Sequence, residues 1–349
     1  MKDTYHISID AMGGDHGLSS TVAASISALN KDPALHITLV GIENDITTEL
    51  HKFGTKYDAS RLHIHHASEI VSMDESPALA LRNKKDSSMR VAINLVKEKK
   101  VDACVSAGNT GALMATSKFV LKTLNEIDRP AIVYAIPSYN KARKALDPVY
   151  MLDLGANVNC SSEQLFQFAI MGSILARYLK GKERPTVSLL NIGEEEMKGL
   201  DSIKQTAKML YNCDDVNYNG YIESSDIFFA KSDVIVCDGF AGNIALKTME
   251  GTAKLIALMI RESFTSSLFS RLAMLFSAGV LKKLKSQLDI NQYNGASLLG
   301  LRGIVIKSHG GASADAFETA IFEAIKEIKH NIPEKIQACI ETIMQQQGS

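Results

Sequence analysis

Six times along this chain of 349 residues a short apolar run gives way to a glycine-bearing polar loop and then to a helical pattern. The runs at 6–10, 101–105, 149–154, 187–190, 234–238 and 304–307 feed loops at 11–17, 106–111, 155–160, 191–199, 239–243 and 308–313. Strands alternating with helices in this way predict an α/β fold on a mostly parallel sheet. The loops then lie at strand carboxyl ends, where ligands bind at a topological switch point. Glycine is common in any strand-to-helix turn. Six such loops together, most with Asn or Asp beside the glycines, point to an active crevice rather than to plain turns.

The stretch Val101-Asp-Ala-Cys-Val-Ser-Ala-Gly-Asn-Thr-Gly-Ala-Leu-Met114 shows the physical logic. Its two glycines let backbone N–H groups approach a ligand closely, and the helix start adds a partial positive charge. An anion, phosphate first among them, fits there without any single charged side chain. Around it the pattern predicts strands at 35–41, 61–67 and 131–136, and helices at 22–29, 46–53 and 89–97. In 61–67, Leu62 and Ile64 alternate with His63 and His65, as expected for a strand edge with one drier face. Long helices follow the later loops to about 178 and about 328.

Several chemistries are excluded. A formal net charge of −1 gives no support to wholesale nucleic-acid binding. Five cysteines without CxxC spacing argue for a reducing compartment and against a disulfide framework or zinc site. The start of the sequence runs straight into a strand-like segment, and no apolar run reaches the roughly 18–20 residues of a spanning helix, so a cytosolic location is expected. Gly13-Gly14-Asp-His-Gly17 has the wrong spacing for a dinucleotide fingerprint, and no Walker lysine follows a glycine loop. His63, His65 and His66 lack a supporting ligand motif, and the helix dipole alone accounts for Glu194-Glu-Glu196. No metal or cofactor is expected.

The polar residues at the loops admit two readings each. Asp10, Asp153 and Asp238 end strands, where a carboxylate orients a ligand or, by default, accepts loop N–H bonds. His309 suits a general acid or base and equally a structural histidine. Cys104, Cys160 and Cys237 lie where a nucleophile is useful, yet none has a sequence-adjacent base. Arg82, Lys84 and Lys85 before Ser87-Ser88 make a second anion site or a solvated charge run. Residues 253–288 are apolar around much of a helical circumference and close on Lys282, Lys283 and Lys285. They read as a buried helix pair, in the core or in a dimer contact, as a hairpin touching an anionic membrane, or as a partner surface.

Taken together, these motifs resemble the bacterial phosphate acyltransferase family of phospholipid synthesis, which makes acyl-phosphate from acyl carrier protein thioesters. The matching stretches are Ile9-Asp-Ala-Met-Gly-Gly-Asp15, Arg82-Asn-Lys-Lys-Asp-Ser-Ser-Met89, Ser106-Ala-Gly-Asn-Thr-Gly-Ala112 and Asp153-Leu-Gly-Ala-Asn157. Further on come Leu190-Asn-Ile-Gly193, Cys237-Asp-Gly-Phe-Ala-Gly-Asn243, Leu298-Leu-Gly-Leu301 and Ile306-Lys-Ser-His-Gly310. Asn159, Glu194 and Ser313 depart from the family pattern and are given no essential role.

The resemblance implies a three-layer α/β/α sandwich with a mostly parallel mixed sheet, like isocitrate and isopropylmalate dehydrogenases and phosphotransacetylase. It implies a single α/β domain of two intertwined lobes over 1–349, with a protruding helical hairpin at 253–288. A cytoplasmic homodimer peripherally bound to the inner face of the cell membrane follows. Acyl carrier protein, inorganic phosphate and the membrane glycerol-3-phosphate acyltransferase are the expected partners, with no cofactor.

On that footing, phosphate sits on the backbone of the 106–111 loop, aided by Lys85, Ser87 and Ser88. Asp10, Gly13, Gly14, Ser106, Gly108, Thr110, Gly111, Asp153, Asn157, Asn191, Gly193 and Gly239 are expected to line the phosphate and acyl-phosphopantetheine site. Asn109 or Asn243 is expected to stabilise the oxyanion, and His309 or Asp238 to manage a proton on the departing thiol. Arg82, Lys84 and Arg90 are expected to meet the acidic carrier protein, and Leu272, Leu275, Phe276, Lys282 and Lys283 the membrane. The competing readings are a coenzyme A-dependent phosphotransacetylase and a non-catalytic membrane scaffold. A nicotinamide-dependent decarboxylating dehydrogenase on the same fold has less support, because no acidic adenine-ribose signature stands out.

Overall fold

Runs of β-branched and aliphatic residues such as Ala131-Ile-Val-Tyr-Ala-Ile136 favour extended backbone that is buried on both faces. In the computed structural model, which describes residues 4–281 and 290–347, these runs form one 11-stranded sheet. Its strands are β1 (Tyr5–Asp10), β2 (Leu35–Gly41), β3 (Leu62–His66), β4 (Ala103–Ser106), β5 (Ala131–Ile136), β8 (Val149–Leu152), β9 (Thr186–Leu190), β10 (Asn217–Ile222), β11 (Val234–Val236), β12 (Ala296–Leu299) and β13 (Ile304–Lys307). A small separate ribbon pairs β6 (Tyr139–Asn140) with β7 (Ala145–Leu146). The order across the large sheet is β10-β9-β11-β8-β5-β12-β13-β4-β1-β2-β3.

Helices cover both faces, giving a three-layer α/β/α sandwich with a mixed, mostly parallel sheet. On one face α3 (Pro77–Asn83), α4 (Ser88–Lys97), α5 (Thr110–Leu121) and the start of α8 (Gly239–Thr265) pack over Cys104, Val305, Ile132 and Ile235. The other face carries α1 (Leu18–Lys31), α2 (Glu43–His51), α6 (Ser162–Lys180), α7 (Asp201–Tyr211) and the C-terminal helices Ala314–His330 and Ile332–Gln347. α6 is buried along most of its length, and a full capping box at Ser161 and Gln164 sets its start.

The sheet changes direction at its centre. β12 is antiparallel to both β5 and β13, and β5 is antiparallel to β8. The strands β1–β4 and β13 therefore run one way and β8–β11 the other. The six glycine loops consequently do not converge on one crevice, which corrects the expectation drawn from their recurrence. Those after β1, β4 and β13 meet along the edge formed by one set of strand ends, and those after β8, β9 and β11 along the opposite edge, formed by the other strand ends.

Other differences have local causes. β10 escapes the sequence pattern because its Asn-Tyr-Asn-Gly-Tyr-Ile sequence lies on the sheet edge, with an irregular register between Tyr218 and Tyr221. β12, Ala-Ser-Leu-Leu, escapes it because it lacks the β-branched residues of its neighbours β5 and β13. The basic 79–88 stretch contains the end of α3. Residues 253–265 continue α8, which is followed by α9 (Leu268–Phe276). Leu255, Ile256, Leu258 and Met259 are 39–58% exposed, so this segment is not packed into the core of the chain. The side chains of Leu272 and Leu275, and all of Lys282 and Lys283, lie outside the described residues.

Candidate active site

At the β1/β4/β13 edge, parallel register lines up Asp10, Ser106 and Lys307 across three adjacent strands and turns them to the same face. All three are buried. Ser106 Oγ donates to Asp10 Oδ2 (2.6 Å), and Ser88 Oγ, from the first turn of α4, donates to Asp10 Oδ1 (2.6 Å). The Gly108 N–H donates to Ser106 Oγ at 3.0 Å, tying the next loop to the same carboxylate. Burial pushes the Asp10 carboxyl up from its usual range, against the pull of Ser106, Ser88, the Met12 N–H and the Lys307 charge.

The loops interlock over this row. A Cβ on Gly13 would lie 2.7 Å from Asp10 Oδ2 and 2.8 Å from the Gly108 nitrogen, so only glycine allows the approach. The Asp15 N–H donates to the Gly310 carbonyl at 2.8 Å, joining the first loop to the last. Asn294 organises that last loop. Its Nδ2 donates to Ser308 Oγ and the Ala316 carbonyl, each at 2.7 Å, and its Oδ1 accepts the His309 N–H at 3.0 Å. His309 Nδ1 accepts from the Gly311 N–H at 3.1 Å, which leaves the proton of the neutral ring on Nε2. Burial lowers the His309 pKa, with Glu250 opposing and Lys247, Lys307 and Lys254 reinforcing. These α8 residues show that the helix, which starts at the opposite edge, reaches this one.

Asn109 has a different use from the one expected of it. Its Oδ1 caps α5 by accepting the Ala112 N–H (3.0 Å), and Nδ2 donates to the Met73 and Glu75 carbonyls (2.8 and 2.9 Å). Both amide hydrogens are thus spent pinning 73–75 beside the loop. The oxyanion role assigned to Asn109 would require one of those bonds to break. The first-turn amides of Thr110 and Gly111 remain without intrahelical partners, as at any helix start. Ser87 caps α4 and donates to the Lys84 carbonyl at 2.9 Å, while Arg82 and Lys85 are exposed. Arg90 lies 5.1 Å over the Phe119 ring.

The other loops gather at the far edge. Asp153 accepts from the Ile132, Ala156 and Asn157 N–H groups and from Asn157 Nδ2, at 2.7–3.1 Å, so its carboxylate is consumed in holding its own loop against β5. Asn157 also donates to the Pro130 carbonyl, and its own carbonyl accepts the Gly239 N–H. Asp238 caps α8 by accepting the Ala241 N–H at 2.7 Å. Asn191 donates to the Lys198 carbonyl, Gly193 sits against Lys198, and exposed Asn243 lies beside Gly155. The structure therefore separates Asp153, Asn157, Asn191, Gly193, Asp238, Gly239 and Asn243 from the Asp10 row within one chain. Burial raises the pKa of all three strand-end thiols, Cys160 to about 12 and Cys104 and Cys237 well upward, so none is a ready thiolate.

Lys307 and Asn294 were missed by sequence reasoning. A lysine at a strand end and an asparagine before a glycine read as solvent-facing, and only the packing of β12 and β13 shows them buried. Among the described residues, no group of three or more His, Cys, Asp or Glu side chains is placed to hold a metal ion.

Comparisons with known proteins agree with this architecture. The family described as "Fatty acid synthesis protein" matches residues 5–335. Proteins described as phosphate acyltransferase from Francisella tularensis subsp. tularensis and subsp. novicida are each 61% identical over 346 residues, covering 97% of this chain and 99% of theirs. Among solved structures, a phosphotransacetylase from Streptococcus pyogenes aligns with a TM-score of 0.62 at 15% identity, covering 95% of both chains. A branched-chain phosphotransacylase from Enterococcus faecalis aligns at 0.57 and 12% identity, covering 93% of this chain and 99% of its own. At such identities the likeness is one of fold.

Proposed function

The chain belongs to the phosphate acyltransferase family and is an enzyme that transfers acyl groups to phosphate; from that premise we propose that it takes the acyl group from an acyl carrier protein thioester, with phosphate bound at the β1/β4/β13 edge. The observation that carries the placement is the meeting of two glycine loops and the α5 N-terminus on the buried Asp10–Ser106–Lys307 row. The α5 amides supply donors for the phosphate oxygens without side-chain reorganisation.

In this reading a phosphate oxygen supplies the electron pair of the new O–C bond at the thioester carbonyl. The tetrahedral adduct then collapses with the C–S pair leaving on sulfur. His309, neutral and protonated on Nε2, is a donor for the carbonyl oxygen or the departing thiolate, which takes its proton from water. No covalent enzyme intermediate is needed, in keeping with the raised thiol pKa values, and positioning supplies much of the acceleration.

The exposed apolar side chains of α8 and α9, among them Phe269 and Phe276, support a peripheral contact with a lipid surface, and no described helix is long and apolar enough to cross a membrane. Delivery of acyl-phosphate to a membrane glycerol-3-phosphate acyltransferase, and action as a homodimer, belong to the same reading. Incubation with phosphate and either an acyl carrier protein thioester or the matching acyl-coenzyme A tests it. Acyl-phosphate should form faster from the carrier protein. Preference for coenzyme A would favour the phosphotransacetylase alternative, and equal rates from the two would overturn the choice of carrier protein as donor.

A further inference from the structure

One buried cation at the cradle is not accounted for by the loops or their caps. Lys307, 8% exposed, ends β13 opposite Ser106 of β4 and Ala296 of β12. Its Nζ donates to the carbonyls of Ala107 (3.3 Å) and Ser308, the residues that follow β4 and β13. An ammonium carries three N–H groups, so one is left after these two bonds. Asp10 is near enough to influence its charge, yet no carboxylate forms an ion pair with it among the described residues. The Asp10 oxygens are already engaged by Ser88 and Ser106. Burying an ammonium without a paired anion is costly, and an arriving anion removes that cost.

We propose that Lys307 is the catalytic cation that receives the attacking phosphate. Its remaining N–H bonds one phosphate oxygen, while the first-turn amides of α5 hold others. The inference rests on the acyl-to-phosphate reading above and replaces Lys85, which is exposed, as the cation of the site. The groups facing Nζ are Asp10 from β1, Asp15 from the following loop and Lys247 from α8, with neutral His309 on its own loop and Ser88 presented by α4. Burial holds the ammonium down at about 8, against the two carboxylates. The charge is therefore present below that pH and lost above it.

The test combines kinetics with anion binding. In the unaltered enzyme, kcat/KM for phosphate should fall about tenfold per pH unit above about 8. Lys307→Arg keeps a permanent charge and should move that alkaline limb upward by more than one unit. Lys307→Met should raise the KM for phosphate at least tenfold at pH 7, with less than a threefold change in KM for the thioester. It should also weaken calorimetric binding of sulfate, whose charge is constant between pH 6 and 9. An unchanged phosphate KM in Lys307→Met overturns the proposal. If the methionine variant does not fold, an alkaline limb that stays at about 8 in Lys307→Arg overturns it instead. Loss of sulfate binding on substitution, in an enzyme that prefers acyl-coenzyme A to the carrier protein, would leave Lys307 as the phosphate ligand and refute only the carrier-protein reading.

Discussion

Asn109 shows how far a single residue's identity reaches. Asn beside a glycine at a helix start is legible as a ligand donor or as a cap, and local sequence does not separate the two. The structure spends its side-chain oxygen and both amide hydrogens on Ala112, Met73 and Glu75. Asn109→Ala should therefore destabilise the fold by about 1–3 kcal/mol in chemical denaturation. An oxyanion donor would instead show a 10²–10³-fold loss of turnover at unchanged stability. Glu327 is the converse case, a helical glutamate that reads as solvated but is 2% exposed. Burial, with Glu323 reinforcing and Ser297 opposing, raises its carboxyl to about 8. The folded state then holds its proton while the unfolded chain releases it. Stability should fall as pH rises from about 4.5 to about 8, by on the order of a few kcal/mol, and level off above. Denaturation midpoints across that range should be flatter in Glu327→Gln.

At the scale of elements, the six strand–loop–helix units were legible because glycine placement and apolar runs are local. β2, β5 and β13 follow the pattern residue for residue. What was not legible is which edge each loop faces. That depends on β5 pairing antiparallel with β8, because the two antiparallel pairings of β12 leave β5 and β13 running the same way. α8 is likewise more than its sequence suggests. Gly242 lets it start close against β8, where a Cβ would lie 1.9 Å from the Asp153 carbonyl oxygen. The helix then runs past Lys307 and His309 into an exposed apolar stretch. Replacing Phe269 and Phe276 together by Glu should abolish co-flotation with anionic vesicles while acyl-phosphate formation in solution stays within about twofold, an expectation from the loss of buried apolar area at the lipid surface. Undiminished flotation would assign lipid contact to another surface.

Across the whole molecule, a net charge of −1 offers no general attraction to an acidic carrier protein, so any steering must come from a local basic group. Arg82, Lys84 and Arg90 flank the turn that leads into Ser88 and the Asp10 row. Arg82→Glu with Lys84→Glu should lower kcat/KM for the carrier-protein thioester about tenfold at low salt and flatten its salt dependence. The same variant should leave the acyl-coenzyme A reaction almost unchanged. By itself the sequence determined the α/β class, the strand ends, the glycine loops and the family, because these reside in short-range pattern and in residue identity. Only the tertiary structure decided that the loops divide between two opposite edges and that Lys307, not Lys85, is the buried cation among them. Strand direction and burial are set by pairing between segments far apart in the chain, and no local periodicity records that pairing.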